Sequence, residues 1–397
     1  MSWEPLSRWL ASGALTTAAG VMLLAAATPA AAAAPTTTTL YVSASTGSDS
    51  NACTAAAPCA TIGHAVAQAA AGDTIMVAPG TYDEQVTITV PLTLEGSSGS
   101  IIDASGLTNG IIVRGSGAAG TVIDGLRVEG ANQEGILLQG TSDVTVEHNI
   151  VTGNDAGMFS RSPTGECAPT GVVPGDCGEG IHLMSVTGST ISGNLVADNA
   201  GGILLTDELG PTAHNIIEDN YVVDNAWDCG ITLASHSPRA MAGGKPDGAT
   251  GGVYANQILN NESVDNGLAD DAGAGILIAA AGPGGANYDN VVEGNSVSGN
   301  GNPGLTMHSH APNQYLGGNT ISGNYFNDDN TEGDATAHVS STVGVLLWSA
   351  VVPIPGTTIS GNYFSDLHYG IWTHNAVGSD VSGNSDGSGV AVGAAQG

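Results

Sequence analysis

The sequence predicts an all-β fold: a single-stranded parallel β-helix, a solenoid of about ten coils closed by an N-terminal helix. Three observations carry that expectation. The phrase Ile-x-Gly-Asn-x-Val, seen at Ile191-Ser192-Gly193-Asn194, returns with small changes at Val146 to Asn149, Ile217 to Asn220, Val292 to Asn295, Ile321 to Asn324, Ile359 to Asn362 and Val381 to Asn384. A looser copy is Ile258 to Asn261, and a second asparagine follows at Asn154, Asn199, Asn225, Asn266 and Asn300. A second phrase, Gly-Ile-x-Leu or a close variant, begins at Gly110, Gly135, Gly180, Gly202, Gly230, Gly275, Gly304, Gly344 and Gly370. Third, apolar residues alternate over short runs broken by Gly, Asn and Asp, with no helical period. Alternation puts Ile191 and Ile203 on one strand face, where stacked coils bury them in a continuous core. Turn asparagines tolerate left-handed backbone, and in register their amides bond from coil to coil as a ladder.

Residues 1–34 read as an export signal: Arg8 gives a positive start, Trp9 to Ala27 an apolar run, and Ala30 to Ala34 a small-residue tract with A-x-A cleavage sites. The expected location is therefore secreted and extracellular. No second apolar stretch is long enough to span a bilayer. Six lysines and arginines stand against 37 acids, a net charge of -31. That balance excludes nucleic acid and anionic membrane surfaces as partners of the mature chain, because both are held by basic side chains.

Residues 35–96 form the cap and first strands. Leu40 to Ser43, Thr74 to Val77 and Gln85 to Val90 read as strands, and Thr61 to Ala71 as a helix covering the open end of the solenoid. The run Tyr41-Val42-Ser43, Gly47-Ser48-Asp49, Pro58-Cys59-Ala60-Thr61-Ile62, Gly72-Asp73-Thr74-Ile75 and Pro79-Gly80-Thr81-Tyr82 resembles the N-terminal segment of secreted proteins of the pectin-lyase-like superfamily. With the coils behind it, the resemblance covers nearly the whole mature chain. It implies a right-handed parallel β-helix, and a function among lyases, hydrolases, esterases, epimerases and adhesins. The marks of particular families are absent: no Gly-His-Gly with Arg-Ile-Lys as in polygalacturonases, no Asp-Pro-His as in alginate epimerases, no pectin esterase signature. Asp270-Asp271 is an isolated pair, read as a turn or ion site.

Residues 97–397 are the β-helix with loop insertions at Asp155 to Gly178, Ser235 to Ala255, Ala280 to Asp289, Ser309 to Gly318 and Asp328 to Thr342. All enter or leave the Gly-Ile-x-Leu strand, so they are expected to wall a groove whose floor is that strand's outward positions. The floor then reads His182 and Met184, Leu204 and Thr206, Thr232 and Ala234, Leu277 and Ala279, Thr306 and His308, Leu346 and Trp348, Trp372 and His374, with Glu208, His236 and His310 at the strand's exit. Solvent-facing rings beside titratable groups suit a sugar-binding cleft.

Two functional classes follow. The first is a secreted carbohydrate-active enzyme cleaving a polysaccharide, a lyase or a glycoside hydrolase. A lyase needs a base (His236 or His308) and a cation (Arg239 or Lys245, both in one insert). A hydrolase needs two carboxylates, Asp207 or Glu208 against Asp228 or Glu179. His310, His182, Trp348, Trp372 and His374 complete the groove. The second class is a non-catalytic carbohydrate-binding or adhesion solenoid. No motif requires a cofactor. Calcium suits the acidic turns at Asp198, Asp219, Asp224 and Asp289, and zinc, on weaker grounds, His308-x-His310 with His236 and an acid. Cys53 with Cys59, and Cys167 with Cys177, are spaced as local disulfides, leaving Cys229 as a buried free thiol.

Overall fold

The computed structural model describes residues 37–159, 177–269 and 273–387, and the backbone of 395–396. The export signal, Cys167 and the Asp270-Asp271 pair lie outside the described residues. Each coil contributes one strand to each of three parallel sheets, of twelve, eleven and eleven strands. The first sheet carries the Ile-x-Gly-Asn phrase, as in Thr190–Ser192 and Ile216–Glu218. The second follows directly, as in Leu195–Ala197 and Tyr221–Val223. The third holds the Gly-Ile-x-Leu phrase, from Glu179–Met184 and Gly201–Thr206 to Val343–Ser349 and Tyr369–His374. Among the described residues no helix is long and apolar enough to cross a membrane.

The sequence explains each corner. The residue before each corner asparagine takes left-handed backbone: Gly193, Asp219, Asn260 and Gly294 between the first two sheets, Asp198, Asp224, Asp265 and Gly299 between the next two. This corrects one expectation. The conserved-looking asparagine of each phrase is not itself the left-handed residue; the glycine, aspartate or asparagine ahead of it accepts that geometry, which frees the corner asparagine to point inward. Asp198, Asp219, Asp224 and Asp289, the turn acids read from sequence as suited to calcium, are themselves among these left-handed residues.

The inward asparagines form the expected ladders. From Asn149 through Asn194, Asn220, Asn261, Asn295, Asn324 and Asn362 to Asn384, each Nδ2 donates to the next Oδ1 at 2.9–3.1 Å. A second ladder runs Asn154, Asn199, Asn225, Asn266, Asn300 and ends on Asp329. A third, unanticipated, runs Asn215, Asn256, Asn290 and Asn319 at the remaining corner. Between the ladders the core is apolar, with Ile191, Ile203, Ile217 and Ile231 buried and Phe326 stacked on Phe364 at 5.6 Å.

The N-terminal helix is Ile62–Gln68, shorter than expected. Thr61 caps it, and the Glu84 carboxylate accepts the N–H groups of Ile62 and Gly63, both at 2.7 Å. Cys53 and Cys59 are disulfide-bonded, Cys177 is also in a disulfide, and Cys229 is free and buried.

Asp329 is the exception in its ladder. Burial pushes its carboxyl up to about 8, against hydrogen bonds from Asn300, and Oδ2 lacks a partner where the other ladder members donate to a carbonyl. The native state therefore keeps this proton where the unfolded chain has lost it. Stability from Asp329 is full below about 3.8 and is lost as pH rises towards about 8. Asp329→Asn restores the missing donor. It should raise the melting temperature most near pH 8, with the gain shrinking as pH falls toward 4; thermal unfolding across that range checks this.

Candidate functional site

Strand register places the predicted floor residues in two columns. His182, Leu204, Thr232, Leu277, Thr306, Leu346 and Trp372 form one; Met184, Thr206, Ala234, Ala279, His308, Trp348 and His374 form the other. Their solvent exposure differs from expectation. His182, Leu204, Thr206, Thr306 and Leu346 are buried, Leu277 is half-buried, and the floor rings that reach solvent, Trp348, Trp372 and His374, lie towards the C-terminal end. The reason is that inserts fold across the floor as well as beside it. Ala337 and Val339, from the insert after Asp328, pack on Leu346 with Trp348, Tyr369 and Trp372 alongside.

Three imidazole–carboxylate pairs occupy this sheet. His182 Nδ1 lies 3.2 Å from Glu134 Oε1, and its Nε2 lies 2.8 Å from the Thr206 hydroxyl. Next, Glu208 Oε1 lies 2.7 Å from His236 Nδ1. Burial pushes Glu208 up, but the hydrogen bond with His236 and the nearby His182 and His236 rings hold its carboxyl below the usual range. Third, His308 Nε2 lies 3.2 Å from Asp334 Oδ2. Burial also raises Asp334, and His308 with the N–H groups of Ala337 and Thr336 brings it below its ordinary value. His310 stands 5.1 Å from His308 and 5.6 Å from Trp348, ring to ring; burial and the His308 charge lower its pKa, while Asp334 opposes them.

The expected catalytic group therefore separates into parts. Glu208 and His236 meet, and His182 joins them. His308 and His310 sit with Asp334 and Trp348 about 10 Å further along, two coils beyond the strand that leads to His236. Asp207 is fully buried, its carboxylate accepting the Ser235 hydroxyl and the N–H groups of His236, Ser237 and Gly252. Burial lifts its pKa in spite of these donors. Saturated in this way, Asp207 anchors the insert and leaves no lone pair for acid–base work. Asp228 bonds to the Cys229 N–H at 2.6 Å at a corner, with its pKa raised by burial. Glu179 is buried and lies across Gly201, where any Cβ would meet Oε2 at 2.1 Å. Arg239 and Lys245 lie exposed, Lys245 on a small hairpin pairing Met241–Ala242 with Lys245–Pro246.

Glu134 and Asp334 were not singled out from sequence, and Thr206 was read only as a floor residue. Glu134 carried a usable signal, since it precedes Gly135 as Glu179 precedes Gly180. Asp334 lies in a non-repeating insert and carried none. Ligand-capable groups of three occur among the described residues at Cys53, Cys59 and His64 and at Asp124, Glu147 and His148. Neither includes His236, His308 or His310, so the zinc set read from sequence is not assembled.

A family model described as "Right handed beta helix region" matches residues 108–278, and the fold resembles that of pectate lyase Pel9A at 17% identity, covering 80% of this chain and 78% of that one, with a TM-score of 0.51. The chain has the right-handed parallel β-helix fold. A model for "Periplasmic copper-binding protein (NosD)" matches 208–368 of this β-helix, and one for a protein of unknown function matches 45–122. The lacto-N-biosidase of family GH136 from Eubacterium ramulus is similar at 11% identity, over 88% of this chain and 68% of that one, with a TM-score of 0.51. ORF18 of Geobacillus virus E2 is similar at 12% identity, over 79% and 53%, again with a TM-score of 0.51. No curated protein matches in sequence. Copper does not fit the described ligand groups of this β-helix: Cys53 and Cys59 are tied to each other, and the second group offers one exposed imidazole with two carboxylates.

If Asp207 anchors the insert, Asp207→Ala should loosen 235–255, so that the backbone around the exposed Arg239 can enter a protease. Limited trypsin digestion should then cut after Arg239 at least about tenfold faster, and the melting temperature should fall, because one substitution strands several buried donors.

Proposed function

We propose that the chain is an exported carbohydrate-active enzyme that cleaves a polysaccharide along its third sheet by base-led, lyase-type chemistry. The observation that carries this reading is the 2.7 Å contact between Glu208 Oε1 and His236 Nδ1. A carboxylate on Nδ1 fixes the ring and raises its basicity, as a group removing a proton next to a uronate carboxyl requires. Two-carboxylate hydrolysis is less well supported, because Asp207 is saturated, Asp228 is held at a corner and Glu179 is buried against Gly201. Arg239 and Lys245, in the insert that begins at His236, are the cations available to a developing carbanion once substrate brings the insert across it. The disulfide, the family match carrying a periplasmic name and the likeness to a pectate lyase support export and carbohydrate as partner.

A second reading has its own support. Trp348, Trp372 and His374 are the floor rings that reach solvent, stacked at 6.4–6.5 Å about His374, and such a platform binds sugar without chemistry.

The test is incubation with neutral and uronate polysaccharides, following the ultraviolet absorbance of unsaturated uronates and the appearance of reducing ends. Both signals should rise. His236→Ala should lower turnover by about 10²–10⁴-fold without a fall in melting temperature. Reducing ends without absorbance would favour hydrolysis, and silence with retained binding that is lost in Trp372→Ala would favour the platform.

A further inference from the structure

Four consecutive coils of the third sheet give polar side chains to a single file: Glu134, His182, Thr206 with Glu208, and His236. Glu134, His182 and Thr206 are 3%, 1% and 0% exposed, so bulk water does not compete for their contacts. The 206–208 segment sets the file by strand alternation. Thr206 turns its hydroxyl to His182, Asp207 turns the other way to accept the His236 N–H, and Glu208 turns back to the His236 ring. The base is thus gripped at its main chain and at Nδ1, and the file behind it ends on Glu134.

Hydrogen placement along the file is constrained. A carboxylate only accepts, so Nδ1 of His182 carries a hydrogen for Glu134. Nε2 then decides what Thr206 does. If Nε2 also carries a hydrogen, the Thr206 oxygen accepts it and the Thr206 hydrogen is released towards Glu208. If it does not, the Thr206 hydrogen goes to His182 and Glu208 loses it. Charge favours the first arrangement, because Glu134 and Glu208 are both largely withdrawn from water and an imidazolium between them offsets that cost. Burial raises the Glu208 carboxyl, and the hydrogen bond with His236, the His182 and His236 charges and the Thr206 hydroxyl bring it below its usual range. The other acids nearby are directed elsewhere: Glu179, at the head of the His182 strand, lies across Gly201, and Asp207 is taken up by donors of the insert.

We propose that Glu134, His182 and Thr206 are positioning residues for His236, acting through Glu208. The proposal rests on the reading of His236 as the base. Glu208 has two tasks for that base: to hold Nδ1–H so that Nε2 takes the proton, and to keep its own negative charge as the ring becomes an imidazolium. The Thr206 hydroxyl and the His182 charge serve both tasks, and Glu134 holds the second hydrogen on His182 in place. All three act at one remove from the substrate.

Histidine-ring NMR titration of the full chain, with the His236 signal assigned from its loss in His236→Gln, tests the assignment without any substrate. Glu134→Gln keeps the shape and the acceptor but removes the charge that makes His182 a double donor. Thr206→Val removes the hydroxyl, and Thr206→Ser keeps it. In Glu134→Gln and Thr206→Val, Glu208 leans on His236 alone, and the His236 midpoint should rise by about half to one pH unit. Thr206→Ser should titrate as the wild type does. On a polysaccharide that the wild type cleaves, Glu134→Gln and Thr206→Val should lower kcat by about 10–100-fold with KM little changed, and the acidic limb of the rate profile should move up with the midpoint. An unmoved midpoint in both variants would overturn the proposal. So would a Thr206→Ser variant that shifts as Thr206→Val does, since that assigns the effect to packing. Shifted midpoints together with no turnover by the wild type on any polysaccharide would uphold the file and remove the lyase reading.

Discussion

The fold depends on the stacking of side-chain amides at its corners. Every coil reverses three times, and each reversal interrupts the sheet ladders that satisfy backbone groups. A buried asparagine repairs the break. Its Oδ1 takes the amide and backbone N–H of the preceding coil, and its Nδ2 gives to the next coil and to a carbonyl, as at Asn220. Aspartate lacks the donor, so where Asp329 takes the place of an asparagine the second ladder stops.

Those ladders let the inserts vary. Successive rungs lie 22 residues apart at Asn362 and Asn384 but 45 apart at Asn149 and Asn194, with the same amide contact at 3.0–3.1 Å. Chain length between corners is thus uncoupled from coil register, and inserts of different size can be carried on a floor whose columns stay aligned. Both pairings that bring an insert onto the sheet, Glu208 with His236 and Asp334 with His308, depend on that alignment.

The repeated part of this architecture was legible in sequence because it is repeated. Asparagine spacing gave two of the three ladders, and the glycine phrase gave both floor columns, residue for residue. The third ladder was missed although Asn215, Asn256, Asn290 and Asn319 each stand five before a ladder asparagine. What sequence could not give was the path of the inserts. Periodicity said that Thr206 and His308 face outward, and they do; it carried no information about Glu208 or Asp334 folding back over them. Asp207 shows the same limit, since its neighbours in space come from 235–252 and its role as an anchor follows only from those contacts.

The charge balance bears on the proposed chemistry. With six basic residues against 37 acids, the chain has little with which to hold a densely anionic polymer, and Arg239 and Lys245 project from one exposed insert. Affinity on this reading comes from uncharged contacts, chiefly the rings of Trp348, Trp372 and His374. The two cations are then needed only where negative charge develops, at the single uronate carboxyl beside the base. Binding spread over neutral rings and charge stabilisation confined to one place form a consistent division for a substrate of low charge density. The same division makes repulsion by the acidic surface a filter against fully anionic polymers.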